Sequence, residues 1–303
     1  MLEFLQSLPS PIAQGMIWGI MAIGVYITYK LLDIADLTVD GSIGVGGAVL
    51  VILTTEQQVN IYLALCIAFV AGCLAGLVTG ILHTKFGIPA ILAGILTQLA
   101  LYSVNLGIMG GRANTTISWR NFDLIVSSKT DQLGFTILKC AIFVAAIIGL
   151  LYWFFGTELG YSIRATGCNQ TMARANGINT DSRKIIGLVI SNGIVALSGG
   201  LLAQFSGSAD VNMGRGAIVI GLAAVIIGEV AFGRLFNHFA LRLLSVVLGG
   251  IIYYIVIALV LKLGLNANNL KLFSAAFVAV FLAIPYWKSK LSAHKTVPKK
   301  EVA

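Results

Sequence analysis

The side chains most often used for nucleophilic or metal chemistry are sparse in this sequence, and their spacing predicts neither function. The cysteines form no CxxC pair and have no histidine at ligand spacing: Cys66, Cys73, Cys140 and Cys168. We expect them to be small packing residues rather than disulfides or metal ligands. No Ser/His/Asp, Cys/His or paired-carboxylate arrangement lies on a plausible common surface. The chain is therefore predicted not to be an enzyme and to hold no metal or cofactor of its own.

Polar side chains inside apolar runs are the stronger candidates for function. Gln98, Tyr102 and Asn105 follow one another at i, i+4 and i+7, so a helix would place them on one face. Polar groups in a bilayer are costly unless they face protein or water. Two interpretations stay open, a substrate path and hydrogen bonding between helices. Asn192 and Tyr253 are further path candidates, and aromatic packing is the alternative for the tyrosine.

Acidic residues near the membrane interface could instead carry a proton or a cation. Three of them cluster at the predicted cytoplasmic end of the second span: Asp33, Asp36 and Asp40. Because they lie near the interface and not at mid-membrane, we expect them to cap a broken helix and to pair with Lys30. Glu229 lies in the seventh apolar run with Arg234 a turn away, which favours an ion pair closing the inner end.

One long interior stretch, 158–183, is polar, basic and able to form a helix. Asn169 can cap a short helix over residues 170–176, and Gly177 can supply the left-handed residue that ends it. The stretch lies between two apolar segments that are each long enough to cross a bilayer. A short helix at the cytoplasmic mouth of a membrane bundle is what a soluble motor would need in order to push on it.

The elements that position these residues are predicted to be membrane helices. Hydrophobic residues make up 58% of the chain and charged residues 11%, whereas soluble domains are usually about a quarter charged. The net charge of +8 follows loops and one tail, which indicates contact with membrane lipid and argues against nucleic acid. We therefore predict an all-α polytopic membrane protein with no room for a soluble catalytic domain.

Apolar runs of about 20 residues mark the predicted spans. There are nine: 12–32, 37–53, 61–83, 88–109, 135–155, 185–206, 217–232, 238–261 and 272–287. The second and seventh are short and rich in glycine, so we expect broken helices or re-entrant segments there.

These two segments also resemble each other. Ala35-Asp-Leu-Thr-Val39 matches Ala209-Asp-Val-Asn-Met213, and the same offset sets Gly47 against Gly221. The second and seventh spans cross in opposite directions. The match predicts an inverted-topology repeat, the plan of many transporters, and chance similarity between two Gly/Ala/Val-rich segments is the alternative.

The distribution of lysine and arginine predicts the orientation. An N-terminus outside places the larger share of these residues inside the cell, including the tail lysines Lys288, Lys290, Lys295, Lys299 and Lys300. We therefore expect a multi-pass protein of a bacterial plasma membrane with a cytoplasmic C-terminus. Glu3 stands where a signal peptide would be basic, so no cleavable signal peptide is predicted.

The polar stretch also resembles a known motif. It reads Leu159-Gly-Tyr-Ser-Ile-Arg-Ala-Thr-Gly-Cys-Asn-Gln-Thr-Met-Ala-Arg-Ala-Asn-Gly-Ile-Asn179 and is similar to the cytoplasmic motif of ABC-importer permeases of the branched-chain amino acid and ribose type. The following residues fit that pattern: Gly160, Arg164, Ala165, Gly167, Asn169, Ala173, Gly177, Ile178 and Asn179. Leu37-Thr-Val-Asp-Gly-Ser42 resembles the early motif of a subgroup associated with tryptophan or tyrosine uptake.

The resemblance implies a single permease domain over 1–287, with a coupling loop at 157–184 and a basic cytoplasmic tail at 288–303. It implies a second permease copy, two ATPase subunits that bind ATP and Mg²⁺, and an extracytoplasmic substrate-binding protein. No GxxxxGK[ST] phosphate loop occurs in this chain, which agrees with a separate ATPase.

The resemblance also assigns roles within the loop. Arg164 and Arg174 would pair with acids of the ATPase, with membrane topology as the alternative explanation of their charge. Gly167 and Gly177 would shape the turns at the ends of the helix. Met172 and Ala173 would form the face that is buried against the ATPase.

The function predicted from all of this is import of a small polar solute, with an amino acid, including an aromatic one, as the leading substrate. A nucleoside or sugar permease of the same type stays open. An ion-coupled secondary transporter is a weaker alternative because ionisable residues at mid-membrane are scarce. A structural scaffold would need neither a polar path nor a repeat.

Overall fold

A computed structural model describes residues 8–118, 122–128, 133–233, 235–236 and 238–262, with isolated positions between 272 and 283. Most of the predicted ninth span and the whole basic tail lie outside the described residues. Arg234 does too, so its predicted pairing with Glu229 is not described.

Helices account for most of the described chain. The first helix, α1 (Pro9–Tyr26), continues directly into a π-helical segment, Ile27–Leu31. The other helices are α2 (Thr38–Thr55), α3 (Ile61–Thr84), α4 (Ala90–Ile108), α5 (Leu133–Phe155), α6 (Glu158–Cys168), α7 (Gln170–Ala175), α8 (Thr180–Ser206), α9 (Ala217–Phe232) and α10 (Phe239–Lys262). Two short strands, β1 (Asn114–Thr116) and β2 (Ser208–Asp210), complete the order.

The helices match the predicted spans closely. Seven are long and apolar enough to cross a membrane, and α9, with 16 residues, is shorter. The expectation of broken helices is not met inside α2 and α9, which are each uninterrupted, and the alternative of re-entrant segments stays a prediction. The irregular backbone precedes each helix instead, at 32–37 and 211–216. The glycines inside α2 serve close packing and do not break the helix.

The centre of the bundle is formed by α1, α2 and α8, and 78% of the most apolar 18-residue window of α1 with its π segment is buried. Of the most apolar 18-residue window, 83% is buried in α2 and 72% in α8, against 22% in α4. The backbones of α2 and α8 touch, since a Cβ atom on Gly46 would overlap the carbonyl of Ala196, and one on Gly199 would overlap that of Ile43. Small residues allow this approach between membrane helices.

The connection between α4 and α5 folds over one end of α8. Strands β1 and β2 pair antiparallel, with Thr115 opposite Ala209. Further along, the Gln204 side-chain oxygen accepts hydrogen bonds from the backbone N–H groups of Ile125 (2.9 Å) and Val126 (3.4 Å). This ordered cover was not predicted from the sequence.

Candidate coupling loop and polar path

The polar loop forms two short helices, α6 and α7, and asparagine or threonine begins each element. Asn169 Oδ1 accepts the N–H of Met172 at 3.0 Å and so caps α7. Gly177 has φ +78°, the left-handed conformation predicted for the end of this helix. Thr157 caps α6 and Asn179 caps α8 in the same way. The local structure predicted for Asn169 and Gly177 is confirmed.

Helix α6 was missed by sequence reasoning, although Thr157 and the acidic Glu158 are a typical helix start. Gly167 lies near its end, not in a turn as predicted. A Cβ atom on Gly167 would overlap the carbonyl of Leu31, the last residue of the π segment. The glycine therefore permits α6 to lie directly against the C-terminal end of α1 and its π segment.

The two residues predicted to meet the ATPase together point in different directions. Met172 is 65% exposed, a large fraction for an apolar side chain, whereas Ala173 is 3% exposed and packs within the chain. The prediction that Ala173 belongs to the docking face is therefore wrong for this conformation. Consecutive side chains on a helix lie about 100° apart, so Ala173 can pack on the chain while Met172 faces outward.

Arg164 binds aromatic rings of its own chain. Its guanidinium carbon lies 4.0 Å from the centre of the Phe239 ring and 5.6 Å from that of Phe155. A guanidinium over aromatic faces is held by cation–π attraction. The side chain thus joins α6 to α5 and to the start of α10. This geometry favours an anchoring role over the predicted ion pair with an ATPase.

Arg174 binds the start of α8. Its Nε donates to Thr180 Oγ1 at 2.8 Å, and a terminal nitrogen lies 3.4 Å from Asp181 Oδ1. The contact closes the loop by tying α7 back to α8. More than half of the side chain is still exposed, which leaves a partner room to reach it.

Among the path candidates, Asn192 is fully buried and fully used. Its amide donates to Asp36 Oδ2 (2.7 Å) and to the Leu188 carbonyl (3.0 Å), and its oxygen accepts from Ser42 Oγ (2.6 Å). These bonds join α2, α8 and the segment before α2. The interhelical alternative therefore accounts for Asn192.

The predicted polar face of α4 is divided. Asn105 is buried against Gly44 of α2, and its side-chain oxygen has no hydrogen-bond partner among the described residues. Tyr102 is 43% exposed and Gln98 is half-buried beside Gly41. The three side chains therefore have different surroundings: Asn105 lies in the interface with α2, whereas Tyr102 lies at the surface of the single chain.

Tyr253 lies at mid-helix in α10, buried, with its ring 5.5 Å from that of Tyr254. Both tyrosines line a cavity of about 540 Å³ between α1, α9 and α10. The structure does not bring Tyr253 together with the α4 residues or with Asn192. The predicted path residues therefore belong to three separate places.

Comparison with known proteins identifies the family. A family model described as "Branched-chain amino acid transport system / permease component" matches residues 9–285. The chain belongs to this permease family. It is a multi-pass membrane protein and the permease component of an ABC-type transport system.

Three relatives illustrate the range of the match. A tyrosine transport system permease protein of Clostridioides difficile is 41% identical over 90% of both chains. An uncharacterised protein of Rickettsia prowazekii is 33% identical over 86% of this chain and 90% of its own. The ribose import permease protein RbsC of Haemophilus influenzae is 26% identical over 66% of this chain and 62% of its own.

The acids of this permease have partners that sequence reasoning did not find. Lys30 Nζ lies 2.8 Å from Glu229 Oε1, so the π segment is bridged to α9, and the expected pairing of Lys30 with the nearby aspartates is wrong. Asp40 Oδ2 and Oδ1 accept the N–H groups of Gly216 and Ile218, each at 2.9 Å. Asp40 therefore caps α9, a helix distant in sequence, and not its own.

Asp36 is the buried acid of this permease. It lies just before α2, is 2% exposed, and accepts the backbone N–H of Thr38 at 2.9 Å as well as the Asn192 amide. Burial raises the pKa of its carboxyl above the ordinary value, and the hydrogen bonds from Thr38 and Asn192 partly oppose this. In the part of the chain that the structure describes, no cationic side chain pairs with it.

Proposed function

We propose that this permease imports an amino acid, and that the amino acid is tyrosine or a related aromatic one. The support is the tyrosine permease of Clostridioides difficile, which matches at 41% identity across nine-tenths of both chains. The ribose permeases match at lower identity and over about two thirds of the chain. They keep a sugar or nucleoside substrate as the second candidate.

The proposed assembly contains two copies of this chain, two ATPase subunits and an extracytoplasmic substrate-binding protein. ATP and Mg²⁺ would bind to the ATPase subunits, since this chain contains no phosphate loop. The N-terminus would lie outside a bacterial plasma membrane and the C-terminus in the cytoplasm. That orientation places α6 and α7 on the side of the ATPase and the β1–β2 ribbon on the side of the binding protein.

The structural observation that supports coupling to an ATPase is the structure of α7. It is a capped helix on which Met172 is 65% exposed. Arg164, in the preceding helix, and Arg174, within α7, both bind other parts of the chain. A lever of this kind needs one apolar contact for the motor and firm attachment behind it. Met172 offers the contact, and Arg164, Gly167 and Arg174 provide the attachment.

The test is a charge at the tip of α7. Met172→Asp would place an unpaired carboxylate in the contact with the ATPase, where desolvation is expensive. We expect the variant to insert in the membrane, to lose copurification of the ATPase and to lose tyrosine uptake. Met172→Leu is the matched control and should retain both. Normal ATPase binding and uptake by Met172→Asp would refute α7 as the coupling element.

Substrate identity needs a separate measurement. The binding protein from the same transport system should be purified with its native ligand and analysed by mass spectrometry. Tyrosine or another aromatic amino acid is expected, and the complex should then take up that compound from the loaded binding protein. A pentose or nucleoside in the binding protein would replace the amino acid by the second candidate, without affecting the coupling test.

A further inference from the structure

A cavity between α1, α9 and α10 has the size of a small-molecule site. Its volume of about 540 Å³ lies in the usual range for small-molecule sites, about 300–1,000 Å³. Its lining comes from the first two turns of α1 (Ser10, Gln14), the start of α9 (Arg215, Val219) and the second half of α10. Ser10 and Gln14 lie toward the outer side in the proposed orientation, and the start of α9 meets Asp40 at the start of α2.

Two kinds of wall face this cavity. One is aromatic and apolar, formed by Tyr253, Tyr254 and Ile257 of α10. Trp18 stacks on Tyr254 with ring centres 6.0 Å apart, and Tyr253 meets Tyr254 edge to face, so the rings support one another. On the other side, Gln14 and Arg215 are polar residues of the lining.

Arg215 is available to a ligand. Its side chain has no hydrogen bond or ion pair to any residue that the structure describes, in contrast to Arg112, which pairs with Glu56. Asp40 of α2, which lies beside the α9 start, already accepts two backbone N–H groups there. A cation that lacks a carboxylate partner at the rim of an apolar cavity is suited to a ligand that brings one.

We infer that this cavity is an outer binding site for a free amino acid, with the carboxylate on Arg215 and an aromatic or large apolar side chain against Tyr253 and Tyr254. The inference rests on the proposed function and adds a place in this chain where the solute is held after leaving the binding protein. Gln14 and Ser10 offer oxygens to the ammonium group. A sugar would satisfy neither the cation nor the apolar wall as well, so the site selects by chemistry.

The first experiment maps the cavity by chemical protection. In the assembled transporter, with its four native cysteines replaced by serine or alanine, Ala258→Cys would line the cavity, whereas Leu259→Cys points to the exposed face of the same helix. An anionic methanethiosulfonate reagent should label Ala258→Cys from outside. L-tyrosine at about ten times its dissociation constant should slow that labelling about tenfold. D-ribose should not, and the labelling of Leu259→Cys should be unchanged by either solute.

The second experiment removes the cation. Arg215→Gln should lower uptake per ATP hydrolysed about tenfold or more, because a charge-assisted hydrogen bond is lost. Arg215→Lys should restore part of it. The concentration of loaded binding protein that half-maximally stimulates ATP hydrolysis should stay the same. Arg112→Gln is the matched control, since that outer arginine is held by Glu56 and does not line the cavity.

Each outcome has a distinct meaning. Normal tyrosine uptake with no protection of Ala258→Cys and no effect of Arg215→Gln overturns the site and leaves the proposed function intact. Loss of stimulation by the binding protein in Arg215→Gln overturns it too, because Arg215 would then be a docking residue. Absence of tyrosine uptake in the unmodified complex is a failure of the proposed function itself. Equal protection by ribose would also overturn the amino-acid assignment.

Discussion

The segments that lead into α2 and into α9 share a local structure and differ in their surroundings. Asp36 Oδ1 accepts the N–H of Thr38 at 2.9 Å, and Asp210 Oδ1 accepts the N–H of Asn212 at 2.7 Å. Both are turns closed by an aspartate two residues back. Asp36 is buried and accepts a hydrogen bond from Asn192 in the core. Asp210 is half-buried and accepts a hydrogen bond of 3.5 Å from the side chain of Asn114 in β1.

This difference shows that one short sequence pattern can fix the backbone while its neighbours decide burial. The two segments also touch, since a Cβ atom on Gly214 would overlap the carbonyl of Asp40. Gly214 is the position that the sequence match sets against Asp40. Contact between equivalent positions is what a pseudo-two-fold axis between two repeats would produce, so it supports the inverted repeat, which stays a prediction.

The largest effect is expected where α2 packs on α8. Gly46→Ala would drive a methyl group into the Ala196 carbonyl, and backbone on both helices would have to separate. A packed glycine of the second half, Gly221, offers the comparison: Gly221→Ala would meet only the side chains of Val25 (2.8 Å) and Met21 (3.0 Å). We expect Gly46→Ala to abolish folded protein and Gly221→Ala to cost about 1–3 kcal/mol.

Thermal unfolding in detergent, with size-exclusion chromatography as the readout, measures this contrast. Gly149→Ala on α5 is the control, because nothing lies within 4 Å of its added methyl group, and it should be neutral or slightly stabilising. Equal stability of the Gly46→Ala and Gly221→Ala proteins would show that the two helices are packed alike.

The next effect concerns the paired aspartates. Asp36→Ala removes one of the two acceptors of the buried Asn192 amide and leaves one of its N–H groups unpaired, which should cost about 1–3 kcal/mol. Asp210→Ala acts at a partly exposed turn and should change stability by about 0.5 kcal/mol or less. The same unfolding assay compares the two, with Asp36→Asn as the variant that preserves an acceptor. If Asp210→Ala is the more damaging of the two, burial does not set their importance.

A smaller effect is expected from pH. The raised pKa of Asp36 means that, above pH 3.8, the folded protein keeps a proton that the unfolded chain has released. Stability that depends on this group should therefore fall as pH rises from there toward the folded-state pKa, and be constant beyond it. Asp36→Asn cannot titrate and should flatten this part of the profile. An unchanged slope in the variant would assign the pH dependence to other groups.

The smallest effect is expected at the bridge between the two halves, Lys30 and Glu229. Both side chains are about half exposed, so solvent screens the pair and its contribution should be about 0–1 kcal/mol. Lys30→Glu should reduce stability slightly at low salt, and adding Glu229→Lys should restore it. A double variant no better than the single one would mean that the contact does not stabilise the fold.

Sequence reasoning predicted the backbone here better than the side-chain environment. The helices, the Asn169 cap and the left-handed Gly177 follow from local patterns, so they could be read directly. The partners of Lys30 and Arg164 could not, because those contacts join residues far apart in sequence. A charge alone does not reveal whether the nearest group will be a carboxylate or an aromatic ring.

The sequence also does not reveal which side of a short helix is buried. Met172 and Ala173 are adjacent in a motif, yet only the packing of α7 on the chain shows which one is outside. The β1–β2 ribbon has three residues in each strand, too few for a periodic pattern. Its formation depends on how the end of α8 meets the α4–α5 connection.

The π segment at the end of α1 determines where the fold can tolerate the deletion of one residue. A π turn contains an additional residue compared with an α turn, so Ile27–Leu31 holds one residue more than a regular helix of that height. Deleting Tyr29, an exposed residue, can return the segment to α geometry and leave everything after Leu31 in place. The same deletion inside α2 would turn the following residues by about 100° and exchange buried for exposed faces. A one-residue deletion is therefore expected to preserve the register at this position, which lies against Gly167 of the proposed coupling loop.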